Sequence, residues 1–126
     1  MDTRLADSVP AEFRRALLEL GTHVGRTLTL LGVFPNRKGY AALRDAILLA
    51  FWNKTASDIY SRIAALHSCT PKSVEGNIRS ALKAARDSGM LIRINDLLGA
   101  PVTDEHCNLS SLQFISLIAQ YLMYKD

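Results

Sequence analysis

The stretch Ile59-Tyr-Ser-Arg-Ile-Ala-Ala-Leu-His-Ser-Cys-Thr-Pro-Lys-Ser-Val-Glu-Gly-Asn-Ile-Arg-Ser-Ala-Leu-Lys-Ala-Ala-Arg86 predicts two helices separated by a tight turn. The first helix is marked by apolar residues at helical spacing: Ile59, Ile63 and Leu66. It is expected to end near His67. Thr70 and Pro71 then start a second helix, because a Thr hydroxyl caps a free backbone N–H and Pro fits the first helical position. The short break predicts a helix-turn-helix, and the small Ala64 lets its two helices approach closely.

The second helix of this pair has two chemically different faces. Its apolar face is formed by Val74, Ile78, Ala81, Leu82 and Ala85. A stripe turned away from that face carries the cations Lys72, Arg79, Lys83 and Arg86. A DNA-reading helix needs this division, because the core must hold one face while the other lies in the major groove. The alternative is an ordinary solvated helix face in a hairpin that binds nothing.

Composition places limits on the class of protein. The chain has 126 residues, of which 48% are hydrophobic, and this suits one domain with one core. A net charge of +3 permits a polyanionic partner without requiring one. The apolar runs are too short to cross a bilayer and no signal-peptide core is present, so we expect a cytoplasmic protein with no membrane partner.

No motif in the sequence indicates catalysis or metal binding. Cys69 and Cys107 are adjacent or close to His67 and His106, but neither pair has a zinc-site spacing, so we expect buried or incidental thiols and no metal or other cofactor. A phosphate-binding Gly-rich loop, a nucleophile elbow and a paired-carboxylate site are also missing from the sequence. An enzyme is therefore not expected.

The remaining apolar patterns also have helical spacing and predict an all-α domain of six or seven helices over residues 21–126. The most apolar segment, from about Tyr40 to Asn53, is expected to be the central core helix. Two helix starts are predicted, by a cap at Ser57 or Asp58 and by a capping box of Ser110 with Gln113. The long second helix is expected to end at Ser88-Gly89, and a short helix over 91–98 is expected to end at Gly99.

Residues 1–20 are predicted to form an N-terminal extension that is helical from about residue 9. Its apolar stripe is Val9, Phe13, Leu17 and Leu20, and it continues through Val24, Leu28 and Leu31. Because Gly disfavours a helix interior, a break is expected near Gly21. The stripe has two interpretations. It packs on the domain's own core, or it pairs with a second copy to form a homodimer.

From about Gly21 to Tyr124 the chain resembles the C-terminal effector domain of the sporulation master response regulator, the stage-zero sporulation protein A family, without its receiver domain. The resemblance is carried by Gly32-Val33, Lys38-Gly39-Tyr40, Leu43-Arg44-Asp45-Ala46-Ile47, Ile63-Ala64, Thr70, Val74-Glu75, Ile78-Arg79, Ala81, Gly89, Leu97, Gly99 and Phe114-Ile115. It implies a six-helix domain that reads a short promoter element in the major groove, often in tandem copies, and contacts the RNA polymerase sigma factor.

The resemblance and the cationic stripe together predict a DNA-binding transcription regulator that reads promoter DNA through the helix at about 71–88. The candidate DNA contacts are Lys72, Ser73, Glu75, Gly76, Arg79, Ser80, Lys83 and Arg86 on this helix, with Arg37 and Lys38 in the preceding loop. Gly76 stands where the family usually has a base-reading Arg, and Lys72 and Ser73 replace the usual Ser and Arg. The alternative, favoured by Gly76, is a protein-interaction or dimerisation module that has lost specific base reading.

Overall fold

A computed structural model describes residues 11–53 and 59–124 of the protein. Within these ranges the chain is all-helical and has no strand. The elements are α1 (Ala11–Leu30), α2 (Gly39–Asn53), α3 (Ile59–His67), α4 (Pro71–Asp87), a 3₁₀ turn (Leu91–Arg93), α5 (Ile94–Leu98) and α6 (Ser111–Tyr124). The predicted all-α class is confirmed, and α3 and α4 are the predicted helix-turn-helix pair. The caps predicted at Ser57 or Asp58 lie outside the described residues.

α2 is the central helix, as its apolar sequence predicts. It is buried on most of its circumference, at Ala42, Leu43, Ala46, Ile47, Leu48 and Leu49. α1, α3, α4 and α6 all pack against it. Burying a side chain of Leu or Ile size contributes about 1.5–3 kcal/mol, so packing on α2 helps to stabilise each of these four helices.

α1 is a single helix through Gly21 and Gly25, so the predicted break near Gly21 is wrong. The reason lies in tertiary packing. A Cβ at Gly25 would stand 2.5 Å from the Tyr40 hydroxyl oxygen, which shows that glycine lets α1 approach α2 closely here. The cost of a helical Gly, about 1 kcal/mol, is small beside the burial of Val24 and Leu28, which are both 0% exposed.

A buried carboxylate, which the sequence patterns do not reveal, joins α2 to α3. Asp45 is 1% exposed, and its Oδ2 lies 2.8 Å from His67 Nε2 at the end of α3. Its Oδ1 accepts a hydrogen bond from Arg44 Nε at 3.2 Å. A buried carboxylate is costly unless it is paired and hydrogen-bonded. These two partners therefore hold the C-terminal end of α3 at a defined place on α2.

The helix ends match the predicted signals. Gly89 (φ +78°) and Gly99 (φ +70°) take the left-handed conformation that closes a helix, at the ends of α4 and α5. At the start of α6, Gln113 N donates to Ser110 Oγ at 3.1 Å and Ser110 N donates to Gln113 Oε1 at 2.9 Å. The predicted capping box is confirmed.

Gly39, the first residue of α2, lies directly against the backbone of α4. A Cβ built on it would collide with the carbonyl oxygen of Asn77 and would lie 2.8 Å from Ala81 Cβ. Only glycine allows the two helices to come this close. The contact sets the position of α4, because backbone atoms cannot move aside as the end of a flexible side chain can.

We expect Gly39→Ala to destabilise the protein by about 1–3 kcal/mol, because the added methyl group overpacks the contact between α2 and α4. Gly76→Ala is the matched control. No atom lies within 4 Å of a Cβ at Gly76, so that change should raise stability by up to about 1 kcal/mol through helix propensity. Urea unfolding of both variants measures the difference, and equal midpoints would contradict the close contact.

Candidate nucleic-acid interface

The turn between α3 and α4 is three residues long, from Ser68 to Thr70, as predicted. Ser68 has a left-handed backbone (φ 57°), and the backbone N–H of Cys69 donates to Ala64 C=O at 2.9 Å. The Thr70 hydroxyl accepts from the Ser73 N–H at 3.1 Å, and Pro71 is the first helical residue. These bonds close the end of one helix and cap the start of the next, so the direction of α4 is set by the turn.

The core holds one face of α4. The five residues predicted for this face are all buried, and none is more than 6% exposed: Val74, Ile78, Ala81, Leu82 and Ala85. Ala64 on α3 is 3% exposed, in agreement with the close helix approach expected there. With this face immobilised, the opposite face is presented to solvent as a rigid surface.

The outward face of α4 carries most of the predicted DNA contacts. Its exposed members are Lys72, Ser73, Glu75, Arg79, Ser80 and Lys83, whereas Gly76 and Arg86 are partly buried. At 100° per residue, Gly76 lies close to the centre of this face, opposite the buried stripe. No atom lies within 4 Å of a Cβ at Gly76. The middle of the face is therefore open enough for a ligand to approach the helix backbone.

Ion pairs neutralise part of the charge on this face. Arg79 Nη1 lies 3.4 Å from Glu75 Oε1, and Lys83 Nζ lies 2.8 Å from Asp87 Oδ2. Lys72, at the start of the helix, forms no ion pair among the described residues. Surface pairs of this kind are worth about 0.2–1 kcal/mol each, so they modulate the positive potential without removing it.

Arg37 and Lys38 are exposed in the loop between α1 and α2. They directly precede Gly39, whose backbone contacts that of Asn77 in the middle of α4. The structure therefore brings these two cations, which lie more than 30 positions earlier in the sequence, next to one flank of α4. This is the arrangement that the DNA-binding hypothesis needs.

The other flank of α4 borders a groove that sequence reasoning missed. Its wall on α4 is formed by Glu75, Arg79, Leu82, Lys83 and Arg86, and its remaining wall by Tyr60, Leu91, Cys107, Leu109 and residues 110–112 at the start of α6. Burial raises the pKa of the Tyr60 hydroxyl above its ordinary value. Only the pairing of distant helices forms this groove, so no local signal could have revealed it.

Other chemistry finds little support in the described part of the chain. No group of three or more His, Cys, Asp or Glu side chains in residues 11–53 and 59–124 is placed to hold a metal ion. Cys69 is exposed, whereas Cys107 is buried, and burial raises the pKa of the Cys107 thiol. Among the same residues, no helix has the length and apolar character needed to span a membrane.

A comparison with protein families agrees with this geometry. The family model described as sporulation initiation factor Spo0A C terminal matches residues 24–122. The match begins in the middle of α1, includes the whole of α2 to α5 and ends within α6. It therefore confirms the resemblance found in the sequence. This protein belongs to the Spo0A C-terminal family of DNA-binding effector domains, which regulate transcription in sporulation.

Proposed function

We propose that this domain regulates transcription by placing α4 in the major groove of promoter DNA. The observation that carries the proposal is the division of α4 into a fully buried face and an opposite face on which Lys72, Arg79 and Lys83 are exposed. A helix that is fixed by the core on one side and cationic on the other meets the geometric requirement for a recognition helix.

The length of α4 suggests how its contacts are divided. Its 17 residues span about 25 Å at 1.5 Å per residue, about twice the 12 Å width of the major groove. Base contacts therefore fall to the N-terminal half, where Arg79 has donors for guanine and Glu75 can accept from cytosine. Lys83 and Arg86 follow in the half that leaves the groove, where phosphates are the available partners.

Arg37 and Lys38 support a second contact with the DNA backbone. Gly39, which follows them in the chain, lies against α4 at Asn77, on the flank opposite the groove lined by Arg86. When a helix lies in the major groove, cations on its two flanks can contact the phosphates of the two strands that border the groove. We assign these residues to orientation of the domain and not to sequence reading.

Two further features of this proposal come from the family resemblance. The first feature is contact with the RNA polymerase sigma factor, to which we assign no residue of this chain. The second feature is regulation at promoters, which agrees with the cytoplasmic location expected from the sequence. The competing function, a protein-interaction module that has lost base reading, is favoured by Gly76, because this residue offers no side chain at the centre of the exposed face.

Duplex DNA should bind with micromolar or tighter affinity at about 50 mM salt, and log K should fall with log salt as phosphate contacts release counterions. Lys83→Ala should weaken all sequences equally and flatten the slope by about one unit. Arg26→Ala removes an exposed cation from α1 and serves as the control, with no such change expected. Fluorescence anisotropy at several salt concentrations tests this. Absence of binding at 50 mM salt would favour the interaction module.

Gly76→Arg should tighten binding and sharpen sequence preference, because it adds a bidentate donor at the centre of the face where no neighbouring atom must be displaced. Gly76→Ala controls for the gain in helix propensity. Preferred duplexes selected from a random pool by the three proteins can be compared directly. An unchanged motif, or weaker binding by the Arg variant, would show that α4 docks differently.

We also propose that the N-terminal part of α1 pairs with a second copy. Of the predicted stripe, Leu20 packs against the domain's own core, so this residue belongs to the first interpretation. Leu17 lies one turn and Phe13 two turns before Leu20 on the same continuous helix, and Val9 lies outside the described residues. A dimer would suit tandem half-sites about one turn of DNA apart.

Replacing Phe13 and Leu17 together by Ser should convert a dimer into a folded monomer that binds DNA more weakly. Leu18→Ser, at a partly exposed position on another side of α1, is the matched control. Analytical ultracentrifugation and thermal unfolding separate the outcomes. Loss of folding in the double variant would place both residues in the core of the domain instead.

A further inference from the structure

The last turn of α4 carries an acid among the cations assigned to phosphates. Asp87 Oδ2 lies 2.8 Å from Lys83 Nζ, and Asp87 Oδ1 lies 3.7 Å from Arg86 Nε. All three side chains reach solvent, with exposed fractions of 56% for Asp87, 65% for Lys83 and 37% for Arg86. One carboxylate therefore faces both cations in the C-terminal half of the helix.

Helix stability does not account for an acid at this position. Asp87 is the last residue of α4, where the helix dipole places negative partial charge and favours a cation. Its pair with Lys83 has the acid C-terminal to the base, which is the less favourable orientation for residues one turn apart. Asp is also a weak helix former. Asp87 therefore lowers the positive charge of the face while supporting the helix only weakly.

The N-terminal half of the helix is arranged differently. Glu75 precedes Arg79, which is the favourable orientation, and the two atoms are farther apart, at 3.4 Å. Lys72 forms no ion pair with any described residue. Neutralisation is therefore strongest where the proposed contacts are to phosphates and weakest where they are to bases.

We propose that Asp87 is an affinity-limiting residue, whose carboxylate occupies Lys83 and Arg86 in the free protein and must be displaced by DNA phosphates. This inference rests on the proposed function. Because phosphate contacts carry no sequence information, the effect is to weaken binding to all DNA while leaving base reading intact. The hydrogen bond from Lys83 lowers the pKa of Asp87 below its ordinary value, so the carboxylate stays charged at neutral pH.

The test compares Asp87→Asn with the unchanged 126-residue chain on random-sequence duplex DNA. The variant should bind about two- to tenfold more tightly at about 50 mM salt, since it releases up to two exposed pairs and removes an acid that repels phosphate. Its salt slope should stay within about one unit of that of the unchanged protein, because Lys83 and Arg86 reach the same phosphates in both complexes once Asp87 is displaced. The preference between a selected duplex and random DNA should stay unchanged.

Two controls identify the cause of any gain. Asp96→Asn removes an equal charge from an exposed position on α5, so tightening of the same size in both variants would reflect net charge alone and overturn the proposal. In a Lys83→Gln background, Asp87→Asn should retain only part of its effect. A gain that is undiminished there would also overturn it, because Asp87 would then act without Lys83.

The outcomes separate this inference from the proposed function. If the unchanged protein binds DNA in a salt-dependent way and Asp87→Asn does not increase the affinity, the inference about Asp87 is wrong and the DNA-binding role stands. If neither protein binds DNA at about 50 mM salt, both the proposed function and the inference about Asp87 are wrong. Circular dichroism and thermal unfolding of each variant show whether α4 is intact, and the loss of one exposed pair should change the melting temperature of Asp87→Asn little.

Discussion

The close contact between Gly39 and the backbone of α4 is the constraint on which the candidate interface depends. It brings the start of the central helix onto the middle of the helix that carries the candidate DNA contacts. The same contact carries Arg37 and Lys38 to the edge of that face. A larger residue at position 39 would separate the two helices and move the loop cations away from α4.

A second constraint acts at the other end of the helix-turn-helix. The buried Asp45 pairs with His67, the last residue of α3, and the turn into α4 begins with the next residue. A paired and buried carboxylate is more demanding in geometry than an apolar contact, because its oxygens must keep their partners. The turn therefore starts from a point that is fixed on α2, and α4 is held from both α2 and α3.

The charge of the exposed face is a balance and not a simple excess. Lys72, Arg79, Lys83 and Arg86 are opposed by Glu75 and Asp87 within one helix. Exposed pairs contribute too little to prevent binding to a polyanion, but each of them competes with a phosphate for the same cation. Together with the open surface at Gly76, this composition underlies our proposal that α4 approaches DNA closely and holds it with moderate strength.

The sequence by itself determined most of the helices, the starts of α4 and α6, the glycine ends of α4 and α5, and the two faces of α4. These features depend on residues three or four positions apart, so local spacing and the Thr70-Pro71, Gly89 and Ser110 signals were enough to predict them. Local rules failed near Gly21, where the predicted break is absent because α1 continues as one helix that packs on α2.

The tertiary structure alone decided which residues meet across helices. The Asp45–His67 pair and the contact of Gly39 with Asn77 join residues 22 and 38 positions apart. The groove beside Tyr60 is lined by separate segments of the chain, and periodic patterns do not predict contacts of this kind. It also decided how the cations of α4 are shared with its acids, because pairing depends on side-chain geometry at the surface and not on spacing alone.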